Sequence, residues 1–130
     1  IRRQVVESLK LVGLEGIEKK FSHELSYGMK KRVSLARTIS LRPKILLFDE
    51  PTTGLDPIST NRINDLIFSL SRNLGTTSIV VSHDMMSALK IADHIIVLDQ
   101  GRLLTQGSPQ DMKASTVPLI QDFLAEVSHV

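Results

Sequence analysis

The apolar residues of this chain follow two different spacings along its length. Where they recur every three or four residues, they predict amphipathic helices. These helical segments are residues 2–12, stopped by Gly13; residues 27–40, capped by Ser26; a segment from Pro57 to Gly75, capped by Asp56; residues 88–92; and a helix opened by Ser108, Pro109 and Asp111.

Elsewhere, consecutive apolar residues predict short strands at residues 45–48, 78–81, 95–98 and 103–105. The first run is wholly apolar, which favours a strand covered on both faces in a parallel sheet. Gln100 and Gly101 separate the last two strands and predict a hairpin at one sheet edge. The alternation of strands and helices predicts an α/β fold with a layered sheet and right-handed crossovers.

Composition narrows the possible functions. At 130 residues the chain is one domain or part of one. The absence of cysteine excludes disulfide scaffolds, thiolate metal sites and cysteine nucleophiles. A net charge of +2 does not favour nucleic acid, and the basic residues between positions 30 and 44 are expected on a solvated helix face. No apolar run approaches the roughly 20 residues that span a bilayer.

The clearest chemical feature is the acidic pair Asp49 and Glu50, directly after the apolar strand. Open α/β sheets bind ligands at the carboxyl ends of their strands. One carboxylate there can hold Mg²⁺ through water, and its neighbour, which points to the other face, can polarise a water molecule. A solvated strand end whose acids cap the next turn is the alternative interpretation.

Two further segments point to the same chemistry. Ser26 and Gly28 open a basic helix, where free backbone N–H groups and a hydroxyl can receive a phosphate, although an ordinary helix cap has the same composition. His83 follows the strand that ends at Val81, and it can hydrogen-bond a terminal phosphate if the two strands are parallel and adjacent. A histidine with only a structural hydrogen bond is the alternative.

The motifs Leu25-Ser26-Tyr27-Gly28-Met29, Ile45-Leu46-Leu47-Phe48-Asp49-Glu50-Pro51, Gly54-Leu55-Asp56-Pro57 and Val81-Ser82-His83-Asp84 occur in this order along the chain. In content and order they resemble those of ATP-binding cassette (ABC) ATPases, specifically the carboxyl-terminal half of such a cassette. The resemblance implies that Asp49 supports Mg²⁺, Glu50 polarises the attacking water and His83 contacts the γ-phosphate. It further implies that Asp56 lies in a loop communicating across a dimer, and that Ser26 and Gly28 reach ATP bound to the opposite subunit.

The same resemblance implies a partial P-loop NTPase fold, with part of the helical subdomain at residues 1–40 and part of the nucleotide-binding core at residues 41–130. It implies ATP and Mg²⁺ as cofactors, a second ATPase subunit and transmembrane permease subunits as partners, and a peripheral location on the cytoplasmic face of the inner membrane. The segments Gly28-Met29-Lys30-Lys31-Arg32-Val33, Asp56-Pro57-Ile58-Ser59 and Ile91-Ala92-Asp93-His94 resemble the branch that drives lipid transport between bacterial membranes.

The chain departs from the family pattern in two places. The family signature reads Leu-Ser-Gly-Gly-Gln, whereas Tyr27 replaces the first glycine and Met29 the glutamine. Tyr27 is compatible with the signature only if the backbone there does not need a positive φ. The phosphate loop Gly-x-x-x-x-Gly-Lys-Ser/Thr is absent, which predicts that the 130 residues, beginning at Ile1, are a fragment of a parent about twice as long and do not complete an ATP site.

Three functions are therefore considered. The first is the ATP-hydrolysing subunit of a membrane transporter for a lipid or another substrate. The second is a half-cassette that dimerises or regulates a partner without turnover, which the missing phosphate loop favours for this chain alone. The third is a soluble ABC ATPase of DNA repair or translation, for which the sequence has no supporting feature.

Overall fold

A computed structural model describes residues 1–127, with side chains of residues 1–125. It divides into two compact units, residues 1–81 and 82–130. The first unit contains α1 (Arg2–Leu11), a 3₁₀ helix (Ser22–Glu24), α2 (Tyr27–Ile39), β1 (Ile45–Asp49), α3 (Pro57–Leu74) and β2 (Thr77–Val81). The second contains α4 (Met85–Ile91), β3 (Ile95–Asp99), β4 (Arg102–Gly107), α5 (Pro109–Lys113) and α6 (Pro118–Val127).

The centre of the first unit is the β1–α3–β2 segment. β1 and β2 pair in parallel, with Ile45 opposite Thr77 and Asp49 opposite Val81. Parallel strands need a crossover, and α3 supplies it. Gly75 ends α3 with a φ of 60°, a left-handed conformation in which glycine avoids the Cβ clash of other residues. The predicted parallel pair and its connecting helix are confirmed.

The core of this unit is aliphatic and lies on one face of the strand pair. Leu46 of β1 belongs to one buried cluster with residues of three helices and of the segment after α1, which are Leu9, Val12, Leu14, Ala36, Ile39 and Leu70. The opposite face is open: Leu47 and Ile79 are 74% and 52% exposed. The prediction that β1 is covered on both faces is therefore wrong for residues 45–48 of this chain, because the helices of residues 1–81 pack against only one side of the strand.

This one-sided packing yields a matched pair of substitutions. Leu46→Ala should lower the free energy of unfolding by about 2–5 kcal/mol, because it removes buried methyl groups and leaves a cavity. Leu47→Ala makes the same chemical change on the neighbouring residue and, measured like Leu46→Ala in the 130-residue chain, should cost less than about 1 kcal/mol. Urea denaturation followed by circular dichroism measures both, and equal losses would contradict the one-sided core.

The amino-terminal helices are tied together by polar contacts as well as by the core. Gly13 follows α1 with a φ of 66°, as expected for a residue that stops a helix. Arg32 of α2 donates from Nη1 to the carbonyl oxygens of Val12 and Gly13, at 3.4 and 3.3 Å. A guanidinium at the carboxyl end of α1 also interacts favourably with the negative end of the helix dipole. The predicted α1 and α2 are both confirmed within one residue.

In the second unit, β3 and β4 form their own antiparallel two-stranded sheet. Gln100 and Gly101 have φ values of 47° and 74°, and positive φ at both central residues is what a type I′ hairpin turn requires. Ser108 and Asp111 cap α5 reciprocally, as predicted. Met112 and Ile120 fill the core beneath the hairpin residues Ile95 and Val97.

The 3₁₀ helix and α6 are missing from the sequence-based prediction. No helix among the described residues is long and apolar enough to span a bilayer. The division of the chain at residue 40 stays a prediction.

Candidate functional site

The acidic pair lies at the carboxyl edge of the parallel strands. Asp49 is the last residue of β1, and Glu50 continues the ladder by donating its backbone N–H to the carbonyl oxygen of Val81 at 2.9 Å. Both carboxylates therefore stand at the sheet edge where α/β folds bind ligands. Asp49 is exposed and Glu50 is half-buried, so the two side chains occupy different surroundings.

Glu50 has an unusual backbone conformation. Its φ is 46°, in the left-handed region that costs a residue with a Cβ about 1–2 kcal/mol. The surrounding hydrogen bonds maintain it: the Glu50 carbonyl accepts from the Thr53 N–H at 3.3 Å, and the Thr53 hydroxyl donates to Glu50 Oε2 at 3.0 Å. Strained backbone that neighbouring contacts hold in place is concentrated at functional sites. No feature of the sequence indicated this strain.

A cavity of about 250 Å³ adjoins the pair. Its walls come from α2, β1 and α3, and its polar lining includes Lys31, Asp49 and Glu50. Among the described residues, no group of three or more His, Asp or Glu residues forms a ready-made metal site. Mg²⁺ usually needs only one or two carboxylates, with water and substrate phosphates supplying the other ligands, so an exposed Asp49 fits this ion.

The start of α2 shows how the altered signature is accommodated. Ser26 caps the helix, its Oγ accepting from the Met29 N–H at 3.2 Å. Tyr27 is the first helical residue and is not among the residues with positive φ, so its side chain causes no backbone conflict. The Ser26 hydroxyl accepts in the cap and still has a proton to donate. The cap and the predicted anion contact are therefore compatible.

Lys31 is a site residue that sequence reasoning missed. Its Nζ donates to the carbonyl oxygens of Pro51 and Thr53, at 3.0 and 2.8 Å, and lies 5.3 Å from the centre of the Tyr27 ring. These contacts join α2 to the segment that follows Glu50. The sequence placed Lys31 on a solvated helix face, and its spacing along α2 contained no signal for these long-range contacts.

Asp56 caps α3 from the far end of the same segment. Its Oδ1 accepts from the Ser59 N–H at 3.0 Å, and hydrogen bonds from Ser59 lower the pKa of the Asp56 carboxyl. A lowered folded-state pKa stabilises the protein above the unfolded pKa of about 3.9, and this contribution is lost as the pH falls through the folded value. Asp56 is thus charged at neutral pH, as an N-cap at the positive end of a helix dipole favours.

His83 is exposed and lies in the second unit, on the segment between β2 and α4. The next residue, Asp84, caps α4 by accepting from the Ser87 N–H at 3.1 Å. The predicted phosphate contact of His83 required parallel, adjacent strands, and β1 and β2 pair in this way. That His83 acts together with Asp49 and Glu50 stays a prediction.

Comparison with known proteins agrees with the motifs. The family model described as ABC transporter matches residues 1–53. The chain is 42% identical over 120 residues to the intermembrane phospholipid transport system ATP-binding protein MlaF of Escherichia coli, covering 92% of this chain and 45% of MlaF. It is 39% identical over 128 residues to the methionine import ATP-binding protein MetN of Bradyrhizobium diazoefficiens, covering 98% of this chain and 37% of MetN.

A solved structure extends the likeness to three dimensions. CbiO1 of Clostridium perfringens, part of the ABC transporter complex CbiONQ, superposes with a TM-score of 0.83 at 35% identity, covering 98% of this chain and 52% of CbiO1. The fold is that of the P-loop NTPase domains of ABC ATPases. The chain spans less than half the length of the curated relatives named above.

Proposed function

We propose that this chain, which belongs with the ATP-binding proteins of ABC transporters, corresponds to their carboxyl-terminal part and serves in ATP hydrolysis. The observation that carries the proposal is the position of Asp49 and Glu50 beside one another at the carboxyl edge of β1, next to an open cavity. Asp49 would hold Mg²⁺, which neutralises phosphate charge when bound. Glu50 would orient a water molecule and draw its proton away.

The remaining site residues are assigned by the same proposal. His83 would hydrogen-bond the γ-phosphate in its own subunit. Ser26 and Gly28 would contact ATP bound to a second ATPase subunit, and Asp56 would lie at the contact between subunits. The helical subdomain would end near residue 40, with the nucleotide-binding core beyond it. Such a subunit would work on the cytoplasmic face of the inner membrane, bound to transmembrane permease subunits.

The open face of the strand pair supports a larger parent protein. Exposed aliphatic side chains project from this face. They belong to Ile45, Leu47, Ile79 and Val81. The relatives have more than twice the aligned length. We expect residues of the parent outside this chain to cover the face and to supply the phosphate loop.

A phospholipid is the proposed cargo. Support comes from the identity with MlaF and from the local segments that resemble the lipid-transport branch, whereas MetN shows that similar sequences serve other transport. The test is to reconstitute the full-length protein with its membrane subunits in vesicles and to follow fluorescent phospholipid and labelled methionine. ATP-dependent movement of phospholipid alone is expected, and movement of methionine alone would refute this assignment.

A non-catalytic half-cassette is the second candidate, favoured by the absence of a phosphate loop from the 130 residues. A measurement of ATP turnover distinguishes it from the first candidate. If the natural protein carries no phosphate loop and shows no ATP turnover with its partners, dimerisation or regulation replaces hydrolysis as its function.

A further inference from the structure

We propose that Lys31 is a positioning residue for Glu50, acting through Thr53; the catalytic part of this inference rests on the proposed function. Lys31 Nζ donates to the Thr53 carbonyl at 2.8 Å, and the Thr53 hydroxyl donates to Glu50 Oε2 at 3.0 Å. Thr53 thus accepts a hydrogen bond from Lys31 through its backbone carbonyl and donates one to the Glu50 carboxylate through its side chain. Hydrogen bonds from a charged donor are about twice as strong as neutral ones.

Lys31 is itself held at this position from two sides. Its second bond, to the Pro51 carbonyl at 3.0 Å, fixes the start of the same segment, and the Tyr27 ring lies 5.3 Å from Nζ. Tyr27 also borders the segment further on, since a Cβ added at Gly54 would lie 3.8 Å from the Tyr27 ring and hydroxyl. Lys31 thus binds the carbonyl oxygens of Pro51 and Thr53 while the Tyr27 side chain lies beside Gly54, and we call this arrangement the α2 clasp.

The backbone conformation of Glu50 explains why support from the clasp is needed. A residue with a φ of 46° relaxes toward ordinary conformations unless its surroundings hold it. The segment after Glu50 is short and irregular, and it contains a local backbone bond from the Leu55 N–H to the Thr52 carbonyl at 3.1 Å. A cation bound to two of its carbonyls supplies support from another helix. The clasp thereby connects the altered signature residue Tyr27 to the geometry of the candidate base.

The test uses the full-length protein. Lys31→Met removes the donor at nearly constant length, Lys31→Arg retains a donor, and Lys30→Met is the matched control on an exposed neighbouring lysine. We expect Lys31→Met to lower kcat for ATP hydrolysis about tenfold with KM within twofold of wild type. Lys31→Arg should stay within threefold in kcat, and Lys30→Met should not differ from wild type.

A double mutant tests the route through Thr53. Thr53→Val removes the hydroxyl bond to Glu50 and should also lower kcat about tenfold. If Lys31 acts through Thr53, the double variant loses about tenfold, since the second change removes nothing further. A loss near a hundredfold, the product of independent effects, would overturn the route. Equal kcat in Lys31→Met and Lys30→Met would overturn the positioning role.

Amide hydrogen exchange in nucleotide-free protein separates the clasp from the proposed function. Lys31→Met should raise exchange at Thr53 and Leu55 at least tenfold, as expected for the loss of a bond to a charged donor. Raised exchange without any ATP turnover in wild type would refute hydrolysis and leave the clasp standing. Unchanged exchange would refute the clasp itself. If Lys31→Met fails to fold, exchange rises throughout the chain, and Thr53→Val and Lys31→Arg decide the question.

Discussion

Replacing Glu50 by Gln in the full-length protein should slow ATP hydrolysis by roughly 10²- to 10⁴-fold, the range attributed to a positioned general base. The amide is nearly the same size as the carboxylate and can still accept from the Thr53 hydroxyl, so the local geometry should survive. It cannot take a proton from water at neutral pH. Because the change does not alter the groups that contact phosphate, ATP affinity should be unchanged.

The measurement is steady-state turnover together with equilibrium ATP binding. Glu15→Gln is a matched control, since Glu15 is an exposed residue whose 3.5 Å ion pair with Lys10 contributes little. Turnover of Glu50→Gln within threefold of wild type would remove Glu50 from the role of base. Loss of binding along with turnover would instead make Glu50 part of the phosphate site.

The 130-residue chain by itself should not bind ATP more tightly than millimolar, against an expected micromolar affinity for the full-length protein. The difference corresponds to about 4 kcal/mol of binding free energy. A phosphate loop provides several backbone N–H groups and a lysine to the β- and γ-phosphates, and this chain has no such loop. Within the described residues that line the cavity beside Asp49, Lys31 is the one cation, and two carbonyl oxygens already engage it.

Isothermal titration calorimetry with Mg²⁺ and ATP tests this expectation. A dissociation constant in the micromolar range for the 130 residues would contradict it and would show that the acidic edge and the start of α2 suffice for binding. Full-length protein measured under the same conditions is the control. Failure of that protein to bind would count against hydrolysis as the function.

Much of the local structure was predictable because its determinants are close in sequence. Ser26, Asp56 and Ser108 cap helices at the predicted positions, since a short polar side chain satisfies N–H groups only two or three residues away. Gln100 and Gly101 make the expected hairpin turn because positive φ is a local property. The acidic pair could be located for the same reason, as it directly follows a recognisable apolar strand.

The sequence by itself determined the order and type of the main elements, the acidic edge and the likeness to ABC ATPases, because each element and each motif is recognised from residues that are close together along the chain. Only the tertiary structure decided that one face of β1 is open, that Glu50 has a left-handed backbone and that Lys31 binds the carbonyl oxygens of Pro51 and Thr53. These features depend on contacts between residues that are distant along the chain, and neither spacing nor composition specifies which partners meet.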